Sequence, residues 1–157
     1  MTVQFGNTLR SLTDIMVVVM ISFLVVQFIS GIYVNLFVSF PTIGTSYSMF
    51  SMMRLMLSRG IPLMFHMMTG MAVAAFSVLT LVAFAISAPR GLPIAIVGLV
   101  STLAAGTAGM TFVFTGFQNQ FYSLVMALAW LFALLSYFTL LFLYNSFNPK
   151  GVRGSER

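Results

Sequence analysis

The chain has 157 residues, of which 60% are hydrophobic and only 6% are charged, whereas soluble domains carry roughly 25% charged residues. A chain with so few charges cannot cover a globule with polar surface. The composition therefore excludes an ordinary soluble domain and predicts an integral membrane protein. The net charge of +5 comes from single, scattered basic residues, and this pattern does not indicate a nucleic-acid partner. The absence of cysteine from the sequence excludes disulfides, iron–sulfur clusters and covalently attached c-type haem.

Four uncharged apolar runs each reach the length of about 20 residues that crosses a hydrocarbon core. They cover residues 15–40, 61–88, 92–117 and 121–147. Short connections follow the second and third runs, and such connections make consecutive helices run in opposite directions. The sequence therefore predicts an all-α fold, in which residues 1–147 form one four-helix transmembrane bundle of up-down-up-down topology.

The distribution of lysine and arginine predicts the orientation of this bundle, because cytoplasmic loops carry an excess of basic residues. Two basic residues, Arg54 and Arg59, lie on one side. The other side carries five, which are Arg10, Arg90, Lys150, Arg153 and Arg157. We therefore expect both termini in the cytoplasm and the bundle in the cell membrane. The first run is too long for a signal-peptide core and no A-x-A-like site follows it, so it is expected to remain as a span.

Three shorter features complete the prediction of structure. Residues 48–58, SMFSMMRLMLS, are expected to form an interfacial helix on the outer membrane surface, with a lid over a site or a partner-docking helix as alternatives. Residues 148–157 are expected to form a flexible cytoplasmic tail. Thr13 or Asp14 is expected to act as the N-cap of the first helix.

His66 is the only ionisable side chain inside the predicted spans, and intramembrane ionisable residues are functional candidates. Polar side chains at the same outer level predict a cluster made of Asn35, His66, Thr69, Thr111, Gln118 and Asn119. The structural interpretation is a hydrogen-bonded Asn35–His66 pair, or two separate polar residues that bridge helices. The cytoplasmic half contains only scattered polar residues, such as Gln27, so any functional site is expected at the outer end.

Two cofactor hypotheses centre on His66. A neutral imidazole on a bundle helix is a usual ligand of b-type haem, and the second axial ligand would be a methionine or a histidine from another chain. Thioethers select Cu(I), and a copper site would combine His66 with Met64, Met67, Met68 and Met71. Methionine also fills gaps in apolar packing, so the methionines have a structural interpretation as well.

Small residues recur at spacings of three and four in the second and third spans, where they allow a neighbouring helix to approach closely. They are Gly70 and Ala74 in the second span, and Gly98, Thr102, Ala105 and Gly109 in the third. These faces are expected to pack against other helices, either within the chain or in self-association or contact with other membrane subunits. A substrate path lined by small residues is the lesser alternative.

The predicted spans contain no Asp, Glu, Lys or Arg, and the chain has no HExxH motif. Catalysis by this chain alone is therefore not expected. The leading hypothesis is a small non-catalytic membrane subunit of a larger assembly or homo-oligomer in the lipid bilayer. The alternatives are a redox or metal-binding bundle built around His66, and a passive solute pore.

Three segments carry a resemblance to a known group. They are GIYVNLFVSFP at the end of the first run, FHMMTG at the start of the second, and the polar turn that leads into SLVMAL. The chain resembles four-helix integral membrane proteins of archaea and actinobacteria with no assigned activity, which implies the architecture and draws attention to Asn35 and His66. Its outline is also similar to half-size haem A synthases and cytochrome b561-like bundles, although those carry several histidines on facing helices.

Overall fold

The computed structural model describes residues 2–38, 54, 58, 60–115, 117 and 119–146. This part of the chain forms four α-helices, with no strand among the described residues. The helices are α1 (Thr2–Phe37), α2 (Ile61–Ser87), α3 (Leu92–Phe114) and α4 (Gln120–Ser146), and a short 3₁₀ turn (Pro89–Gly91) joins α2 to α3. All four helices are long and apolar enough to cross a membrane. The predicted all-α fold with four membrane-length helices is therefore confirmed.

The start of α1 differs from the prediction. Its apolar segment runs Leu12–Phe37, but the helix itself begins at Thr2. Thr13 and Asp14 therefore lie inside the helix, and the expected N-cap at these residues is wrong. No proline interrupts residues 2–14, so nothing stops the helix where the hydrophobic run stops.

Two predicted segments lie mostly or wholly outside the described residues. The interfacial helix expected at residues 48–58 is described only at Arg54 and Ser58, which are both helical and exposed. The tail expected at residues 148–157 lies outside the described part of the chain. The prediction of an interfacial helix and a flexible tail therefore stays a prediction.

Glycine and proline set the start of α2. Gly60 precedes the helix with φ at 92°, a conformation that favours glycine because it has no Cβ. Pro62 then occupies the first turn, where its missing N–H would have had no intrahelical partner. The start of α2 at Ile61 therefore agrees with the prediction from these residues.

The tightest packing lies in the half of the bundle that contains the 3₁₀ turn. In α1, Val17, Met20 and Leu24 are at most 2% exposed, and their spacing of three and four residues places them on one helix face. They share one core with buried residues of the other helices, namely Val73, Phe84, Ala95, Ala133, Tyr137 and Leu140. The buried apolar side chains described in the opposite half are Val34, Leu63 and Ala108. The apolar core is therefore concentrated at one end.

The outer surface of the described bundle is apolar on every helix. Large side chains such as Ile29, Met71 and Phe142 are more than 60% exposed. In water such a surface would be unfavourable, whereas lipid chains solvate it well. The pattern of exposure therefore agrees with the membrane-length helices in indicating a multi-pass membrane protein.

Tyr137 joins three helices inside the core. It is fully buried, and its hydroxyl lies 2.6 Å from Oγ of Ser77 on α2. Its ring rests on Gly98 of α3, where an added Cβ would lie 2.9 Å from the ring carbon Cζ. Thr102, also buried, donates a hydrogen bond to the carbonyl of Gly98. These two residues of the predicted small-residue face therefore pack within the bundle.

Substitution of Gly98 tests this packing. We expect Gly98→Ala to lower the free energy of unfolding by about 1–3 kcal/mol, because the new methyl group meets the Tyr137 ring. Val97→Ala on the same helix is the control, because Val97 is 51% exposed on the outside of α3. It is expected to change the free energy of unfolding by no more than about 0.5 kcal/mol. Unfolding of both variants in the same detergent, followed by circular dichroism, gives the comparison, and equal stabilities would contradict the packing.

Candidate functional site

A group of four polar side chains lies between α1 and α2. We call Gln27, Ser30, His66 and Thr69 the His66 cluster. The Nδ1 atom of His66 lies 2.9 Å from Oγ of Ser30, and Nε2 lies 3.3 Å from Nε2 of Gln27. The hydroxyl of Thr69 donates a hydrogen bond to Oε1 of Gln27. All four side chains are half-buried, so the cluster is a polar contact between two membrane-length helices.

The two helices contribute the same sequence pattern. Residues 27–31 read QFISG and residues 66–70 read HMMTG, so each segment has a large polar residue, a hydroxyl residue three positions later and then glycine. Residues three and four apart lie on one face of a helix. Both segments therefore present a large polar side chain, a hydroxyl and a glycine towards the partner helix.

Glycine makes room for each large polar side chain. A Cβ added at Gly31 would lie 3.0 Å from Cε1 of His66, and one added at Gly70 would lie 3.0 Å from Nε2 of Gln27. The imidazole therefore rests on the glycine of α1, and the amide rests on the glycine of α2. Close approach of this kind is what small residues allow in membrane helix pairs. The contact is reciprocal between the two segments.

The hydrogen bonds are compatible with a neutral imidazole that carries its proton on Nδ1. The Ser30 hydroxyl donates its proton to the carbonyl of Gln27, 2.9 Å away, so its oxygen is left to accept from Nδ1 of His66. Nε2 then has no proton and accepts from the amide nitrogen of Gln27, while the amide oxygen accepts from Thr69. With a neutral imidazole protonated at Nδ1, both ring nitrogens, both hydroxyls and the amide oxygen of the cluster therefore have a partner.

Asn35 does not join His66. It is exposed on α1, and the described partners of the imidazole are Gln27 and Ser30. Asn35 comes five positions after Ser30, which moves a side chain about 7.5 Å along a helix and about 140° around it. Asn35 therefore lies beyond the cluster and on another face, and the expected Asn35–His66 pair is not formed.

Two of the remaining members of the predicted polar cluster, Thr111 and Asn119, form local hydrogen bonds. Thr111 donates a hydrogen bond to the carbonyl of Thr107 within α3. Asn119 accepts a hydrogen bond from the backbone N–H of Phe121 at the start of α4. Gln118 lies outside the described residues. Of the six predicted residues, the structure therefore brings together His66 and Thr69, and it joins them to Gln27 and Ser30 instead.

The predicted metal ligands do not converge. Met64, Met68 and Met71 are 46%, 62% and 73% exposed on the outside of α2, and Met67 is half-buried. Both ring nitrogens of His66 already take part in hydrogen bonds, so a haem iron or Cu(I) would have to displace Ser30 or Gln27. No group of three or more His, Asp or Glu that could hold a metal occurs in the described part. The residues present therefore do not fit the haem or copper site.

Three further contacts hold α1 against α2 and α4. Trp130 of α4 donates a hydrogen bond from Nε1 to the carbonyl of Leu24, over 3.0 Å. Its ring stacks on Phe28, with the ring centres 4.4 Å apart. At the other end of the helix pair, Oγ1 of buried Thr13 lies 2.7 Å from Oγ of Ser87. The position of α1 is therefore fixed beside the cluster by Trp130 and again near its N-terminal end by Ser87.

No protein-family model matches the chain, and no curated protein or solved structure is significantly similar to it. The resemblance to archaeal and actinobacterial four-helix proteins therefore stays a prediction. The His66 cluster contains the one histidine of the sequence.

A pair of double-mutant cycles tests the composition of the His66 cluster. The cycle that combines Gln27→Ala with His66→Ala is expected to give a coupling free energy of about 0.6 kcal/mol, the average for hydrogen-bonded pairs in a membrane protein, and at most about 1.7 kcal/mol. The matched cycle that combines Asn35→Ala with His66→Ala is expected to give a coupling near zero, because Asn35 is exposed away from the imidazole. Reversible unfolding in bicelles supplies the energies. A larger coupling for Asn35 than for Gln27 would refute the described cluster.

Proposed function

We propose that this protein is a small, non-catalytic, multi-pass subunit of a larger membrane assembly or of a homo-oligomer. The proposal is supported by the polar side chains of the spans, which form hydrogen bonds between helices. Those of the His66 cluster bond one another across α1 and α2, and Tyr137 bonds Ser77 across α4 and α2. Polar groups that bond one another between helices stabilise the packing of the bundle. Such groups are not arranged as an acid, a base or a nucleophile facing a substrate.

The surface of α3 supplies a contact for a partner helix. Most of the small residues predicted to mediate association are covered within the chain, since Gly98 faces Tyr137, Gly109 faces Met126 and Gly70 faces Gln27. Thr102 is buried, and Ala74 and Ala105 are half-buried. Gly106 is exposed, with no atom within 4 Å of a Cβ at that position. The proposed assembly therefore uses the outward face of α3 around Gly106.

Native mass measurement after gentle detergent extraction tests the assembly. We expect a species larger than one chain, either a homo-oligomer or a complex with another membrane protein. Gly106→Leu is expected to reduce this species because a large side chain keeps the partner backbone away. Val82→Leu, at a 49% exposed position of α2, is the matched control and should leave the assembly unchanged. A monomer with no co-purifying protein would remove the proposal.

The proposed topology is up-down-up-down, with both termini in the cytoplasm. The count of basic residues supports this orientation, with five on the proposed inner side and two on the outer side. The order of contacts supports opposite directions for α1 and α2, because Thr13 pairs with Ser87 whereas Ser30 pairs with His66. The His66 cluster would then lie in the outer half of the membrane.

Single cysteines test this orientation, because the sequence contains none of its own. We expect Ser46→Cys and Asn119→Cys to react with a membrane-impermeant maleimide in intact cells, because both positions lie in proposed external connections. Ser155→Cys should react only after the cells are permeabilised. The cysteine-free parent gives the background of labelling. Reaction of Ser155→Cys in intact cells, without reaction of the other two variants, would reverse the proposed orientation.

A further inference from the structure

We propose that His66 is a reversible proton-binding site inside the membrane, which accepts a proton at Nε2 when the side-chain amide of Gln27 turns over. The inference goes beyond the proposed role as a subunit and does not depend on it. It rests on the chemistry of the groups that surround the imidazole, each of which can exchange the role of donor and acceptor.

The neutral arrangement contains one bond that protonation would break. Nε2 of His66 accepts a hydrogen bond from the amide nitrogen of Gln27, across 3.3 Å. A proton added at Nε2 converts this atom into a donor, and it would then face the amide NH₂, which is also a donor. The protonated ring is therefore not compatible with the present orientation of the amide.

A half-turn of the Gln27 amide exchanges the positions of its oxygen and nitrogen. It restores a hydrogen bond at each contact while all other heavy atoms stay in place. The amide oxygen then accepts from Nε2–H of His66, and the amide nitrogen donates to the hydroxyl oxygen of Thr69. The proton of that hydroxyl has two backbone acceptors in reach, the carbonyl of Phe65 at 2.9 Å and that of His66 at 3.0 Å. At Nδ1 the bond to Ser30 is unchanged, because Nδ1 is a donor in both states.

Two further observations favour this exchange. The amide lies beside Gly70, which has no side chain to lock its orientation. The residues described against the imidazole from α1 are Gln27, Ser30 and Gly31, and none is titratable or charged. The acidic residue of α1 is Asp14. It follows Thr13, which pairs with Ser87 at the opposite end of α2 from His66. Hydrogen bonds, and not an ion pair, would therefore stabilise the bound proton.

The single histidine of the sequence makes a direct measurement possible. The protein, expressed without a histidine tag, is labelled with ¹⁵N-histidine, reconstituted into phosphatidylcholine bilayers and followed by NMR from about pH 9 to about pH 4. We expect a ring protonated at Nδ1 alone at high pH and at both nitrogens at low pH, with full reversibility. A ring that stays neutral throughout, or one protonated at Nε2 alone at high pH, would overturn the proposal. The fluorescence of Trp130 reports whether the bundle stays folded.

Variants at Gln27 separate proton binding through the amide from simple titration of an accessible imidazole. Gln27→Leu removes the acceptor for Nε2–H, so the proton affinity of His66 should fall about tenfold or more, while Gln27→Glu should raise it. Ser22→Ala is the matched control on α1, because the Ser22 hydroxyl bonds only the carbonyl of Val18. If Gln27→Leu does not fold, Thr69→Val removes the partner of the turned amide and should also lower the affinity. An unchanged titration in the folded variants would refute the role of Gln27.

Discussion

Inside a lipid bilayer no water is available to polar groups, so each polar side chain of a span needs a partner within the protein. This constraint explains where the helices of this bundle meet. Gln27, Ser30, His66 and Thr69 satisfy one another between α1 and α2, while Tyr137 and Ser77 do so between α4 and α2. Hydroxyl residues without a side-chain partner, such as Thr139, bond the backbone one turn earlier. The apolar surface that remains is the surface that lipid solvates.

Glycine decides how close these contacts become. Gly98 lets the Tyr137 ring pack against α3, and Gly31 and Gly70 let an imidazole and an amide approach the backbone of the facing helix closely. Dispersion gained by such close packing replaces the hydrophobic driving force, which is absent between helices in lipid. The bundle therefore combines a dense apolar core near the 3₁₀ turn with the His66 cluster nearer the start of α2.

Sequence patterns predicted the helices well and the partners less well. Hydropathy located four membrane-length helices because the burial of apolar groups in lipid is a property of each segment alone. It misplaced the start of α1, because the helix continues into polar residues that nothing in the sequence terminates. The prediction paired Asn35 with His66 because both lie at a similar depth in the membrane. The side chains of α1 that face His66 are instead Gln27 and Ser30. The matching segments QFISG and HMMTG were the available signal, because they repeat one pattern on two helices.

That repeated pattern has a consequence for the mutual alignment of α1 and α2. Each segment offers its large polar residue to the hydroxyl and glycine of the other segment, so an approximate local twofold axis passes between Gln27 and His66. Stripes of Leu and Val could slide past one another by one helical turn, about 5.4 Å, and still present apolar groups. The two matching segments have one alignment in which both glycines receive a ring or an amide. The contact between these two segments therefore fixes the position of α1 along α2.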